Sequence, residues 1–242
     1  MRPPVVLPLP NLKTKMIKYF LILLSTLSVL SGCRSALPMV EQVPRVEYKP
    51  IQRVVVSVVD NRKLSDGYTK AYVGTTLQSF GIPITRNVSF LSTESGDDKN
   101  GLSKFLQDRI VTGFITSGWN TKAIQQIHIP SQQEAEVILS EHRAEKLIVL
   151  SLNEWDFWVN VAKPGGILAI DTFDFNANAD VLIFTKGQSL PFAANFGGHH
   201  VVPVETVRTE QTKLKNYPNM IVIAYKNQLS QILNTPSVRE QF

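Results

Sequence analysis

The sequence predicts an α+β fold in which a single antiparallel sheet has amphipathic helices packed on one face. Residues 172–185 alternate apolar and polar side chains over a dozen positions, which indicates a sheet with one wet face. Apolar residues recur at helical spacing in 102–117 and in 217–233, so each segment predicts a helix with one apolar stripe. Strands joined by short turns favour antiparallel pairing, and the helices need the apolar face of that sheet to pack on.

The first 32 residues have the features of a bacterial signal peptide. An apolar run covers residues 19–30, which is shorter than the roughly 20 residues that a membrane-spanning helix needs. It suits the apolar region of a signal peptide, and Lys18 supplies the positive charge that precedes such a region. We therefore predict residues 1–32 to be a signal peptide, with Met16 as an alternative start that gives a more compact leader.

The leader ends in Leu30, Ser31, Gly32 and Cys33, which match the lipobox of bacterial lipoproteins. The small residues let an extended segment enter a narrow peptidase site, and the thiol of Cys33 accepts a diacylglycerol. We predict Cys33 as the first residue of the mature protein, bearing acyl chains such as palmitate. The alternatives are an ordinary cleavable signal and a membrane anchor with an incidental cysteine, and a cysteine that is unique in the chain argues against both.

Composition confines the basic character to the leader. The formal net charge is +5, but four of the 25 basic residues precede Cys33, where there is no acidic residue. The remaining 21 basic side chains face 20 acidic ones, so no basic face for nucleic acid is expected. With its only cysteine lipidated, the folded part has no disulfide.

The mature chain is expected to begin with an extended tether over 33–50, which carries three prolines, followed by one periplasmic α+β domain over 51–242. Residues 53–59 predict a buried strand, and the glycines and polar residues of 60–100 predict loops and short edge strands. A helix over 102–117 ends at Gly118, and a short strand follows over 119–123.

The second half of the chain predicts a capped helix, three strands and a closing helix. Ser131 and Glu134 form a capping box that starts a helix over 131–143. The strands are expected at 146–162, 172–185 and 190–204, with the last frayed at Gly197–Gly198. The closing helix, over 217–233, has a proline in its first turn and another after its end.

These landmarks resemble the YajG-like family of bacterial envelope lipoproteins. The resemblance rests on the lipobox, on the helix that ends at 117–119, on the strand pair around 177–181 and on the closing helix followed by 236–240. It runs from Cys33 to the end of the chain and includes no catalytic signature. The resemblance implies a periplasmic domain anchored in the outer membrane, without established enzymatic activity.

Three aromatic residues are the candidate partner-binding site. Trp155 and Phe157 lie two residues apart on one face of a strand, and Trp158 lies on the other face. One of these faces must be core, so the other presents a large aromatic side chain either to a partner or to covering helices and loops.

Two other groups of residues suggest chemistry less strongly. His199 and His200 are adjacent on a strand and should point to opposite faces, so a polar strand end is favoured over a metal site. Glu154, Asp156, Asp171 and Asp174 suggest a carboxylate pair of a cell-wall hydrolase. Asp174, however, is expected on the wet face, where nothing encloses an acid.

The sequence therefore predicts a non-enzymatic, outer-membrane-anchored periplasmic lipoprotein that binds another envelope component, without cofactor, metal or nucleic acid. The binding surface would be the sheet edge or the Trp155–Trp158 strand. The alternatives are an auxiliary or activating subunit of an envelope transporter or peptidoglycan synthase, and a cell-wall hydrolase.

Overall fold

The computed structural model describes residues 37–50, 52–77, 82–91, 101–161, 170–203 and 217–242. The strands are β1 (Arg53–Asp60), β2 (Tyr72–Leu77), β3 (Pro83–Asn87), β4 (Asn120–Ala123), β5 (Lys146–Val161), β6 (Ile170–Thr185) and β7 (Phe192–Pro203). The helices are α1 (Met39–Gln42), α2 (Val88–Leu91), α3 (Gly101–Thr116), α4 (Gln132–His142), α5 (Tyr217–Asn234) and α6 (Pro236–Arg239). Within the described ranges, no helix is both long and apolar enough to cross a membrane.

All seven strands form one mixed sheet, so the prediction of an antiparallel sheet is wrong. One path runs in the order β3-β2-β5-β1-β4, and β6 and then β7 extend the sheet from the other edge of β5. β1 is parallel to both β4 and β5, and β2 is also parallel to β5. The pairs β5–β6, β6–β7 and β2–β3 are antiparallel. Helices join β1 to β4 and β4 to β5, and such crossovers return the chain in the same direction.

The helices lie on both faces of the sheet, which corrects the prediction that they cover only one. On one face, α3 and α5 pack on a first core that includes Val54, Val56 and Val58 of β1. On the other face, α4 packs on a second, smaller core that includes Val55 and Val59. β1 is therefore apolar on both sides, which is typical of a parallel strand in the centre of a sheet.

A β-bulge in β5 decides which of its side chains reach the first core. The register between β5 and β6 shifts between Leu152 and Glu154. Leu152 faces the first core before the bulge, and Trp155 and Phe157 face it afterwards. Because the extra residue reverses the alternation, Trp158 faces away from that core.

Several local predictions are confirmed. The predicted apolar face of β6, from Phe173 to Ile183, is buried at every second residue. Ser131 and Glu134 form the expected capping box at the start of α4. The predicted fraying at Gly197–Gly198 is wrong, because both glycines pair with β6 and β7 continues through them.

The described part of the predicted tether packs on the helices. Leu37, Val43 and Val46 are buried, and residues 39–42 form the short helix α1. The Oε1 of Gln42 accepts a hydrogen bond from Nη2 of the buried Arg109 at 2.6 Å. Residues 33–36 and the predicted leader lie outside the described residues, so an extended tether is not observed over 37–50.

Candidate functional site

The aromatic residues of β5 divide between core and surface. Trp155 and Phe157 are buried in the first core, where the Trp155 ring meets Phe175 and Tyr225 edge to face. Trp158 is 42% exposed although it lies in the middle of the sheet, paired with Thr75 on one side and Asp174 on the other. Of the three residues predicted to bind a partner, only Trp158 is available at the surface, and the other two stabilise the fold.

Trp158 belongs to a polar surface that we call the open face. Its members share one face of β5, β6 and β7 and are Glu154, Asp156, Trp158, Asp174, Asn176, Asn178, Asp180, Asn195 and His199. The second core occupies the far end of this same face, where Leu182 and Phe184 pack with α4. Among the described helices, α4 covers only that end, so the wet face predicted for β6 is present over the remainder.

Hydrogen bonds between neighbouring strands hold the side chains of the open face in place. The Nδ2 of Asn176 donates to Asp156 at 3.0 Å, and its Oδ1 accepts from Nδ1 of His199 at 2.7 Å. Further along, Nδ2 of Asn195 donates to Asp180 at 2.7 Å. Because these polar groups are already held by partners, this part of the open face is ordered before any ligand arrives.

The two adjacent histidines point to opposite faces, as predicted. His199 lies on the open face, whereas the ring of His200 stacks over Phe175 with centroids 6.4 Å apart. Among the residues that the structure describes, no three acidic, histidine or cysteine side chains are close enough to hold a metal ion.

The structure describes the side chains of three of the four carboxylates considered for hydrolysis. Glu154, Asp156 and Asp174 all lie on the open face, and the side chain of Asp171 is outside the described residues. Glycoside hydrolysis needs one acid in a pocket that raises its pKa and a second facing it across the substrate. The three described carboxylates lie on one face of β5 and β6, and the hydrolase alternative stays a prediction.

The structure also contains a buried charge cluster that the sequence analysis did not predict. The guanidinium of Arg62 donates two hydrogen bonds to the carboxylate of Asp60, both at 2.9 Å. Its other three N–H groups donate to the carbonyls of Tyr72, Trp155 and Lys70 at 2.8, 3.0 and 3.1 Å. All five donors are thus satisfied, and the cluster joins the end of β1 to β2 and β5.

A cavity of about 320 Å³ opens beside this cluster. Its walls come from the end of β1, the first two turns of α3 and the segment that follows β4. Nothing in the spacing of these residues along the chain could have predicted it, since they meet only through the sheet topology.

Comparisons with known proteins do not assign the chain to a family. No family model matches it, and no curated protein matches its sequence. One similar solved structure is of an uncharacterized protein, at 10% identity over 82% of this chain and 99% of that one, with a TM-score of 0.38.

Other similar structures are of bacterial lipoproteins. Lipoprotein GNA1162 from Neisseria meningitidis is 6% identical over 76% of this chain and 98% of its own, with a TM-score of 0.31. Uncharacterized lipoprotein B from Nitrosomonas europaea is 11% identical over 81% and 92%, with a TM-score of 0.29. Similarity at this level carries no argument about function, and the resemblance to the YajG-like family stays a prediction.

Proposed function

We propose that this protein is a lipid-anchored, non-enzymatic protein of the bacterial outer membrane that binds another envelope protein through the open face on its periplasmic side. The proposal has two parts, an anchor at Cys33 and a binding surface around Trp158, and each has its own test.

The anchor is supported by the leader. A short apolar run, a preceding positive charge and the sequence Leu30-Ser31-Gly32-Cys33 occur together and in the order that lipoprotein processing requires. Several acyl chains on one residue make release from a membrane negligible, since each buried CH₂ contributes about 0.8 kcal/mol. Position 34 is arginine, whereas aspartate at this position retains lipoproteins in the inner membrane of enterobacteria-like cells. Arg34 therefore favours the outer membrane.

The exposed Trp158 is the observation that carries the binding role. A tryptophan in the centre of a sheet, held between two paired strands, offers a large rigid apolar surface at little cost in conformational entropy. Aromatic anchors of this kind, surrounded by oriented polar groups, are typical of protein interfaces.

The charges of the open face indicate the chemistry of the partner. Glu154, Asp156, Asp174 and Asp180 are acidic, and among the members of the open face only His199 can become positive. A partner surface that combines an apolar pocket for the indole with lysine or arginine side chains around it would be complementary.

Photocrosslinking in living cells tests the binding surface. A photoreactive amino acid replaces Trp158 in the anchored protein, and adducts are identified by mass spectrometry. The control carries the same amino acid at Val137 of α4, which is 53% exposed and lies outside the open face. We expect a specific protein adduct from position 158 that is absent from position 137. Equal adducts from both positions, or none from either, would contradict the proposed surface.

The identity of the adduct also separates the binding role from the alternative role. A transporter component or a peptidoglycan synthase would favour an auxiliary subunit. In a pull-down with the same partner, Trp158→Ala should weaken binding at least about tenfold, because an aromatic hot spot contributes roughly 2 kcal/mol or more. The thermal stability should hardly change, since the side chain is partly exposed.

The anchor is tested independently. Cys33→Ser should leave an unprocessed precursor that takes up no labelled palmitate, and globomycin should make the wild-type precursor accumulate. A wild-type protein that is indifferent to globomycin, or that has a free thiol and no fatty acid, would refute the anchor while leaving the crosslinking result intact.

A further inference from the structure

The cavity forms where two parallel strands separate. β4 ends at Ala123, and the last backbone bond on this side joins the N–H of Ile124 to the carbonyl of Val56 at 2.9 Å. β1 continues to Asp60, so its edge beyond Val56 has no strand beside it within the described residues. Instead, the N–H of Val58 donates to the side-chain Oε1 of Gln107 on α3 at 3.0 Å.

The cavity lies at the carboxyl end of β1, a position at which open α/β sheets bind ligands. β1 has parallel neighbours on both sides, β4 and β5. The connection from β1 to β4 passes through α3 on one face of the sheet, and the connection from β4 to β5 passes through α4 on the other. Ligands of such sheets bind in the crevice outside the carboxyl end of the strand where the winding direction changes. A volume of about 320 Å³ is enough for a small ligand.

Gln107 gives the cavity an unused hydrogen-bond donor. Its side chain lines the cavity although the residue is only 5% exposed, and its Oε1 is engaged by the backbone of β1. The Nε2 of Gln107 has no acceptor in the part of the chain that the structure describes. This amide donor is open to the cavity, so a ligand there that accepts a hydrogen bond can reach it.

The charges around the cavity favour an anion. The carboxylate of Asp60 is neutralised by Arg62, and Lys104 is paired with Asp108 one turn along α3. Lys70 shares the same carboxylate, with its Nζ 3.5 Å from Oδ1 of Asp60, so two cations face one anion and one positive charge is in excess. The Nζ of Lys70 also donates to the carbonyl of Asp60 at 2.7 Å, at the wall of the cavity.

The first turn of α3 adds to this positive potential. Ser103 and Lys104 line the cavity from that turn, where the helix dipole is positive and backbone N–H groups lack intrahelical acceptors. The N–H of Leu102 is already taken by the carbonyl of Lys70 at 3.0 Å, which ties the start of the helix to the wall of the cavity.

From the cavity, the free Nε2 of Gln107 and the excess positive charge, we infer that this crevice binds the phosphate group of a small ligand. A tetrahedral oxoanion accepts hydrogen bonds from several directions, which suits amide, hydroxyl and ammonium donors that converge from β1, α3 and the 62–70 loop. The site goes beyond the proposed function, because it shares no residue with the open face and needs no partner protein.

Calorimetric titration of the chain, purified from its host membranes in detergent, tests the site. Inorganic phosphate is the probe, and sodium chloride at the same ionic strength is the reference. We expect saturable heat with phosphate and none with chloride. Gln107→Glu keeps an oxygen for the N–H of Val58 but replaces the free donor by a negative charge, so it should lower the affinity at least about tenfold.

Two further variants make the result decisive. Lys104→Gln removes a half-exposed charge at the cavity and should also weaken phosphate binding, about threefold or more. Lys186→Gln removes an exposed charge at the opposite end of the sheet and should change nothing. Loss of affinity that is equal in all three variants, or wild-type heat no greater than with chloride, would overturn the inference.

Two additional ligands identify the source of the phosphate. Glycerol 3-phosphate tests a soluble phosphate ester, and phosphatidylglycerol in the same detergent micelles tests a lipid headgroup. A Gln107-dependent response to either supports the site and names its source, whereas failure of both, together with inorganic phosphate, refutes it.

Discussion

Replacing Asp60 by asparagine should destabilise the fold strongly, because it removes the only carboxylate that contacts the buried guanidinium of Arg62 among the described residues. The two side chains are 6% and 3% exposed, and the carboxylate accepts from both Nε and Nη2 of the arginine. Asparagine keeps the size of the side chain but carries no charge, and its amide hydrogens face a guanidinium that can only donate.

The expected loss follows from the burial of this pair. Breaking a buried ion pair by removing one partner costs about 3–5 kcal/mol, because the remaining charge is left uncompensated. Lys70 cannot replace the lost charge, since it has the same sign as Arg62. For a domain of this size each kcal/mol lowers the melting temperature by about 2–4 °C, so the variant should melt roughly 6–20 °C below the wild type.

Urea unfolding followed by tryptophan fluorescence measures the change. The control is Asp108→Asn, which breaks the exposed pair with Lys104 and should cost no more than about 0.5 kcal/mol. The double variant Asp60→Asn/Arg62→Met removes both charges and should recover part of the stability. If Asp60→Asn costs no more than Asp108→Asn, the cluster does not hold the fold together and the reasoning is wrong.

Two further predictions concern the stability of the fold at alkaline pH and the packing of the N-terminal segment on α3. Burial raises the pKa of Tyr225 well above its usual value, so its contribution to stability is complete below about pH 10, the value in the unfolded chain, and is lost as the pH rises beyond it. Phenolate absorbance at alkaline pH should accordingly rise together with unfolding. Gly113→Ala should destabilise α3 by about 1–3 kcal/mol although alanine is the better helix former, because the new Cβ would lie 2.4 Å from the carbonyl oxygen of Pro44. Thr116→Ala on the exposed side of the same helix should change the unfolding free energy by less than about 0.5 kcal/mol, and an equal effect of the two alanines would exclude the steric reason.

Local patterns in the sequence predicted local structure well. The alternation of β6 identified which side chains are buried, because a long strand with one wet face has the simplest of periodic patterns. The capping box of Ser131 and Glu134 identified the start of α4, because both hydrogen bonds form within four residues of the chain. These features need no knowledge of distant partners.

The sequence analysis did not predict that β1 is parallel to its neighbours, although the composition of β1 indicates it. The run from Val54 to Val59 is apolar at all but one position, which indicates burial on both faces and hence a parallel central strand. Two helices between that run and β5 also indicate crossovers. The prediction of an antiparallel sheet came from β5, β6 and β7, which short turns connect. Their pattern contains no information about the direction of β1, β2 and β4.

The cavity could not have been predicted in the same way. Gln107, Lys70 and Asp60 come from a helix, a loop and a strand end, and only the early end of β4 leaves room between them. One weak signal exists, since Gln107 is a polar residue next to the apolar stripe of α3. A sequence cannot tell whether such a residue faces water or caps the edge of a strand.

If Cys33 has the lipid proposed above, the packing of residues 37–48 on α3 and α5 limits how far that lipid can be from Leu37. Asn234 of α5 donates a hydrogen bond to the carbonyl of Arg45 and accepts one from the N–H of Glu47 at 2.9 Å, so this stretch is fastened to the helix. Leu37 is already buried, and the four residue steps from Cys33 to it span at most about 14 Å in any conformation. So short a segment between the lipid and the fold would keep the protein close to the membrane leaflet that holds the lipid. Under the proposed localisation, it would meet partners that lie in or close to that membrane rather than partners on the far side of the periplasm.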